Sequence, residues 1–152
     1  MNQIEQSGPI GTVSEVVTDA EIASTYRVMK QLRPSLEESR YVEQVKRQQD
    51  EHRYRLAALV HEGEVRSAAG YRLGESLAWG PYMYVYDLVT DAEGRSRGYG
   101  RQMLDWLLAE AAKAGCRQLH LDSGVQRHDA HRFYLAAKMR ISCHHFELEV
   151  GE

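Results

Sequence analysis

Seven residues, Arg95-Ser96-Arg97-Gly98-Tyr99-Gly100-Arg101, put three full positive charges and two glycines just ahead of an amphipathic run. Such a stretch binds anions when it opens a helix. The first helical turn has backbone N–H groups with no intrahelical partner, and the macrodipole adds partial positive charge there. Glycines remove side chains that would hold a ligand off that backbone. The chemistry implied is a phosphate or pyrophosphate seat. A P-loop would need a Lys-Ser or Lys-Thr pair after the glycines, which Tyr99-Gly100-Arg101 does not supply. A dinucleotide fingerprint would need a third glycine where Met103 stands. On this stretch alone, a glycine-eased turn with solvated arginines stays open.

The elements around the stretch decide what it can hold. Upstream, "YMYVYDLVT" (82–90) is apolar or aromatic on both faces, as in a strand buried on two sides. Downstream, Met103, Leu104, Leu107, Leu108 and Ala111 form the apolar stripe of a helix that Gly115 ends. "TDAEIASTYRVMKQLRP" reads as one helix, capped by Thr18 or Asp19 and facing inward through Ile22, Tyr26, Met29 and Leu32. "SLEESRYVEQVKRQQDEH" reads as a second, more polar helix with a solvated face. "YRLAALVH", a turn at "EGE" and "VRSAAGYRLG" form a hairpin. "CRQLHLD" is a strand, "HDAHRFYLAAK" a short helix and "RISCHHFELEV" a final strand. Residues 1–11 are polar and punctuated by Gly and Pro, either frayed or a short first strand. The predicted fold is α/β, a mixed and mostly antiparallel central sheet with flanking helices, in a single domain over 1–152.

Arg95-x-x-Gly98-x-Gly100, placed after a strand and opening a helix, resembles the Arg/Gln-x-x-Gly-x-Gly/Ala motif of the GNAT superfamily of acyl-CoA N-acyltransferases. "AHRFYLAAKM" resembles that family's second signature, a helix reading A-x-x-F-Y. The resemblance runs from about Tyr54 to Phe146. It implies the GNAT fold with splayed central strands, and an N-acetyltransferase that moves acetyl from acetyl-CoA to a primary amine, of a small molecule or of a protein, by direct attack in a ternary complex. By the same resemblance, the backbone of Arg95, Ser96, Arg97, Gly98, Tyr99, Gly100 and Arg101 holds the pyrophosphate of coenzyme A, and the main chain at Leu88 and Val89 meets its pantetheine arm. Tyr134 matches the tyrosine that protonates the leaving sulfur. Asp87, the one acidic residue of its strand, stands where family members carry a carboxylate base; among Val85 and Val89 it would be desolvated into a better base. Its alternative is a plain ion pair with an arginine.

Two positions depart from the family pattern. Arg127 stands where an asparagine contacts the cofactor, and it either reaches the cofactor or faces solvent. Lys138-Met139 replaces Gly-Phe. These departures favour the alternative function, a CoA-binding sensor with the same fold and little turnover. Glu75, Tyr82, Tyr84 and Tyr86 are further acceptor-site candidates, as are Tyr41 and Glu38 on the second helix.

Bulk properties narrow the class. The chain has 152 residues, 43% hydrophobic and 27% charged, with a net charge of -3. That acidic balance and the lack of an interleaved aromatic–basic face argue against a nucleic-acid partner. No segment approaches the roughly 18 apolar residues of a membrane span, and "MNQIEQSGPIG" lacks a signal-peptide pattern. Two cysteines, Cys116 and Cys143, read as small buried residues in a reducing cytoplasm. Seven histidines carry no metal-ligand spacing, so no metal is expected; His144, on a face with Phe146 and Leu148, reads as a core histidine. The family resemblance makes a homodimer plausible.

Overall fold

Glu62 and Gly63 both adopt positive φ, 53° and 78°, the left-handed pair that closes a two-residue hairpin. They join β2 (Arg55–His61) to β3 (Glu64–Ser76) where the sequence places its turn. The computed structural model describes residues 10–151; the expectation for residues 1–9 lies outside them. Contacts divide the chain into two compact units, Met1–His120 and Leu121–Glu152.

In the first unit, β1 (Thr12–Val16), β2, β3 and β4 (Gly80–Thr90) pair antiparallel in sequence order. β5 (Gln118–Leu121) follows the helical crossover from β4 and takes the next place in the sheet, parallel to β4. Arg117 N donates to Pro81 O at 2.8 Å, fixing β5 beside the beginning of β4. With only four residues, β5 is much shorter than β4, as in the expected splay.

Helices cover both sheet faces. One core gathers Ile22, Val28, Met29, Tyr41 and Val45 against Leu56, Ala58, Ala68 and Val89. The helical members belong to α1 (Asp19–Ser24), α2 (Tyr26–Leu32) and α3 (Glu38–His52). On the other face, α4 (Tyr99–Lys113) buries Tyr99, Met103, Leu104, Leu107 and Ala111, and its Trp106 packs edge-on to Tyr71 of β3. Leu108 departs from the predicted stripe and is exposed.

The single helix expected from Thr18 to Leu32 is two. Thr25 stands between them, its hydroxyl donating to Ile22 O at 2.7 Å and meeting Tyr41 Oη at 2.7 Å. A threonine that bonds back to its own turn competes with the helical ladder. The predicted N-cap holds: Thr18 and Glu21 form a reciprocal capping box.

The second unit contains α5 (His128–Ala136). The final strand expected over 140–150 is absent, and those residues are exposed without regular structure. High β-propensity does not make a strand; an edge must pair with it. His144 and Cys143 are therefore exposed, not buried, and Cys116 is only partly covered. No helix among the described residues is long and apolar enough to cross a membrane.

Candidate active site

After β4 ends at Thr90, the chain is pinned by Asp91, whose side chain is 0% exposed. Its carboxylate accepts from Arg27 Nη2 at 2.7 Å, Arg66 Nη1 at 3.0 Å, Gln31 Nε2 at 3.1 Å and Glu93 N at 3.3 Å. The Arg27 bond, above all, holds this carboxyl well below the usual carboxylate range. Asp91 thus ties the start of the glycine-rich loop to α2 and β3.

The loop's other end is fixed by Tyr99. Its ring is buried against Gly94, where an added Cβ would come within 2.8 Å of the ring, and its hydroxyl lies 2.8 Å from His61 Nδ1. Between these anchors, Ser96 and Gly98 take φ of 68° and 86°. The helix α4 begins without a side-chain cap, and its first ladder bond runs from Gln102 N to Gly98 O. The N–H groups of Tyr99, Gly100 and Arg101 are therefore left without ladder acceptors. Arg95, Ser96 and Arg97 are exposed, and neither arginine is ion-paired among the described residues. Arg101 shares its charge with Asp105 at 3.0 Å. Tyr99 offers this seat only its backbone, since its side chain is a structural anchor.

In β4, Gly70 pairs with Asp87 but Tyr71 pairs with Val85, so Tyr86 is an extra, bulged residue. Gly70 and Tyr71 point to opposite faces, and so do Asp87 and Val85. This corrects the simple alternation: Asp87 shares a face with Val89 but not with Val85. Beyond the bulge, Asp91 N donates to Arg66 O at 2.8 Å. Antiparallel alternation then turns the main chain of Val89 toward β3 and that of Leu88 and Thr90 away from it. The main chain of Leu88 thus faces away from β3, whereas that of Val89 is taken up by β3, its carbonyl also accepting from Ser67 Oγ at 2.9 Å.

Asp87 is 16% exposed and holds two partners. Arg33 Nε donates to Oδ1 at 3.0 Å and Tyr54 Oη donates to Oδ2 at 2.7 Å, while Arg33 Nη2 caps Tyr86 O at 2.8 Å. Burial, reinforced by Asp87, raises the Tyr54 phenol well above its ordinary range, so it donates at neutral pH. Each carboxylate oxygen retains acceptor capacity for an amine. Among the acceptor-site candidates, Tyr82, Tyr84 and Tyr86 lie on the Asp87 face and Glu75 is exposed near the strand end. Tyr41 is removed from that role: it is buried on Thr25 with its phenol pushed up to about 12.

In the second unit, Tyr134 is the buried residue of α5. Burial raises its phenol, and the nearby positive charge of Arg127 opposes that rise without cancelling it. Arg127 stands at the N-cap position of α5, without a side-chain capping bond.

Sequence reading missed Asp91, Tyr54 and Arg33. The first looked like an ordinary loop residue after a strand. The other two come from distant segments, and only the folded register brings Tyr54 and Arg33 to Asp87.

The model of the acetyltransferase (GNAT) family matches residues 22–138. The chain is 35% identical over 122 residues to the Bacillus subtilis protein named as the uncharacterized N-acetyltransferase YhdJ, covering 80% of this chain and 86% of that one. A shorter match, 39% over 51 residues, reaches the aminoalkylphosphonate N-acetyltransferase of Salmonella typhimurium, over 34% of this chain and 33% of that one. In fold, a GNAT family acetyltransferase from Staphylococcus aureus superposes with a TM-score of 0.78 at 15% identity, over 93% of this chain and all of that one. The chain belongs to the GNAT family and is an N-acetyltransferase.

Proposed function

We propose that the chain acts as one catalytic domain that moves the acetyl group of acetyl-CoA to a primary amine by direct attack. The observation that carries this reading is the uncapped start of α4, where free N–H groups and two unpaired arginines stand ready for a pyrophosphate. The outward main chain of Leu88 is suited to the amide groups of pantetheine. Arg127, at the start of the helix that carries Tyr134, is assigned to the cofactor side of the site by its match to the family position.

In the reaction, the amine must first lose a proton, and Asp87 takes it directly or through water. The nitrogen lone pair then attacks the thioester carbonyl; the N–C bond forms, and collapse of the adduct breaks the C–S bond. The departing sulfur receives its proton from Tyr134, which its raised phenol keeps protonated at neutral pH. Asp87 already holds one cation, Arg33, and keeps acceptor capacity on both oxygens, so binding and orienting the ammonium is its first task.

The named substrate of the Salmonella relative supports a small-molecule acceptor. The absence of a long apolar helix among the described residues suits a cytoplasmic enzyme working with acetyl-CoA. Exposed Ile141, Phe146, Leu148 and Val150 support a homodimer, which sedimentation measures.

The test is thiol release from acetyl-CoA in the presence of an amine panel, with acetyl-CoA binding measured in parallel. Amine-dependent release supports transfer. Tight binding without release from any amine assigns the chain to sensing, and absence of binding removes the reading.

A further inference from the structure

We propose that the acceptor is a small amine carrying an anionic group, a carboxylate or phosphonate, with its amine at Asp87 and its anion at Arg72 across the ring of Tyr86. This rests on the reading of Asp87 as the amine site.

Gly70, Arg72 and Gly74 alternate along one face of β3, opposite Asp87, Tyr84 and Tyr82 respectively. Arg72 therefore lies two residues, about 7 Å of strand, from the position that faces Asp87. The bulge sets Tyr86 between them, and this residue is 43% exposed. The Arg72 guanidinium carbon lies 4.9 Å from the Tyr86 centroid. Its Nε is buried with no hydrogen-bond partner, and Arg72 has no ion pair among the described residues. A buried guanidinium N–H left unmatched is costly, and a planar anion is the group that matches its fork. Asp87 and Arg72 thus present opposite charges on either side of one exposed ring.

The walls of this surface are aromatic. Tyr84 and Tyr86 stack with centroids 5.1 Å apart, and Tyr82 meets Tyr84 edge-on. Trp79 stacks on His120 at 3.7 Å and meets Tyr82 edge-on at 5.4 Å. Tyr82 also folds over Gly74, where an added Cβ would come within 2.7 Å of its hydroxyl. The glycine leaves the wall its space. Such a surface takes the apolar body of a ligand whose two charged ends are read by Arg72 and Asp87.

The experiment uses matched pairs that differ only in the anion: phenylalanine against phenethylamine, and β-alanine against propylamine. Binding to the full chain is measured by calorimetry, and transfer by thiol release. The proposal expects the anionic member of each pair to bind about tenfold more tightly, or better. It expects Arg72→Gln to erase that preference while the KM for acetyl-CoA stays unchanged, and Arg72→Lys to restore part of it. Equal binding of both members, or equal loss of both in Arg72→Gln with an unchanged melting temperature, overturns it. Preferential binding of the anionic amines without thiol release supports the Arg72 site and overturns acetyl transfer instead.

Discussion

Arg27 Nη2 lies 2.7 Å from Asp91 Oδ2, a contact that crosses 64 residues of sequence to hold the loop where β4 hands over to α4. Arg27 is half in water, but the carboxylate is fully buried. Asp91→Asn keeps the shape and removes the charge, leaving two arginines facing a neutral amide. The expected cost is about 3 kcal/mol, the lower end for breaking a buried pair. Because the folded carboxyl titrates below its unfolded value, its contribution is complete above about pH 4 and is lost as pH falls toward the folded value. Thermal melts from pH 7 to pH 2 should show the gap between wild type and Asp91→Asn closing on acidification. A gap that widens would contradict the ion-pair account.

Gly98→Ala tests the donor seat. An added methyl finds only Ile10 Cδ1 at 3.6 Å, an ordinary contact, so space is not the obstacle. The φ of 86° is: an L-residue there costs about 1–2 kcal/mol. If the chain relaxes toward negative φ, the first N–H groups of α4 turn aside. The KM for acetyl-CoA should rise about tenfold, equivalent to about 1.4 kcal/mol, with kcat at saturation nearly intact.

Tyr54→Phe removes the neutral donor to Asp87 and leaves Arg33 as its one remaining side-chain partner. Loss of a hydrogen bond to a charged group costs about 2 kcal/mol of stability. Steady-state kinetics should show a raised KM for the amine and an unchanged KM for acetyl-CoA. A shift in both constants would mean that Tyr54 supports the fold at large.

Tyr134→Phe removes a buried proton donor with little change in volume. On the proposed general-acid role, the variant should lose about 10²-fold or more in kcat, with the KM for acetyl-CoA little changed. Its raised phenol has a sign to check as well. The donor form persists past the ordinary tyrosine value near 10, so wild-type kcat should not fall on this group's account between about pH 7 and 10. An unchanged kcat in the variant would leave Tyr134 as packing alone.

Periodicity made α3 and α4 readable, because each buries one face at a helical repeat, and β2 to β5 stood out as short apolar runs between turn signals, whereas β1 at Thr12–Val16 did not. The glycine-rich turn was readable for a related reason, since few backbones need left-handed residues beside bare N–H groups. What escaped was set by single local events. Thr25 breaks a helix whose apolar spacing runs straight through it, and Tyr86 adds a residue to a strand whose composition gives no sign of it. Residues 140–150 failed in the other direction, for their alternation promised a strand that no edge takes up among the described residues. The glycine-turn motif is likewise contiguous in sequence, whereas Asp87 gains Tyr54 and Arg33 only by folding.

The extra residue at Tyr86 works like a frameshift in β4. Residues 82 and 84 are read out in one phase and residues 87 and 89 in the other, yet both sets emerge on the same face. One continuous strand therefore behaves as two modules with separate addresses. Substitutions at 82 or 84 can redraw the aromatic surface while Leu88 and Thr90 keep their outward main chain, because the bulge absorbs the difference. A strand without that hyphen would have to change both ends together.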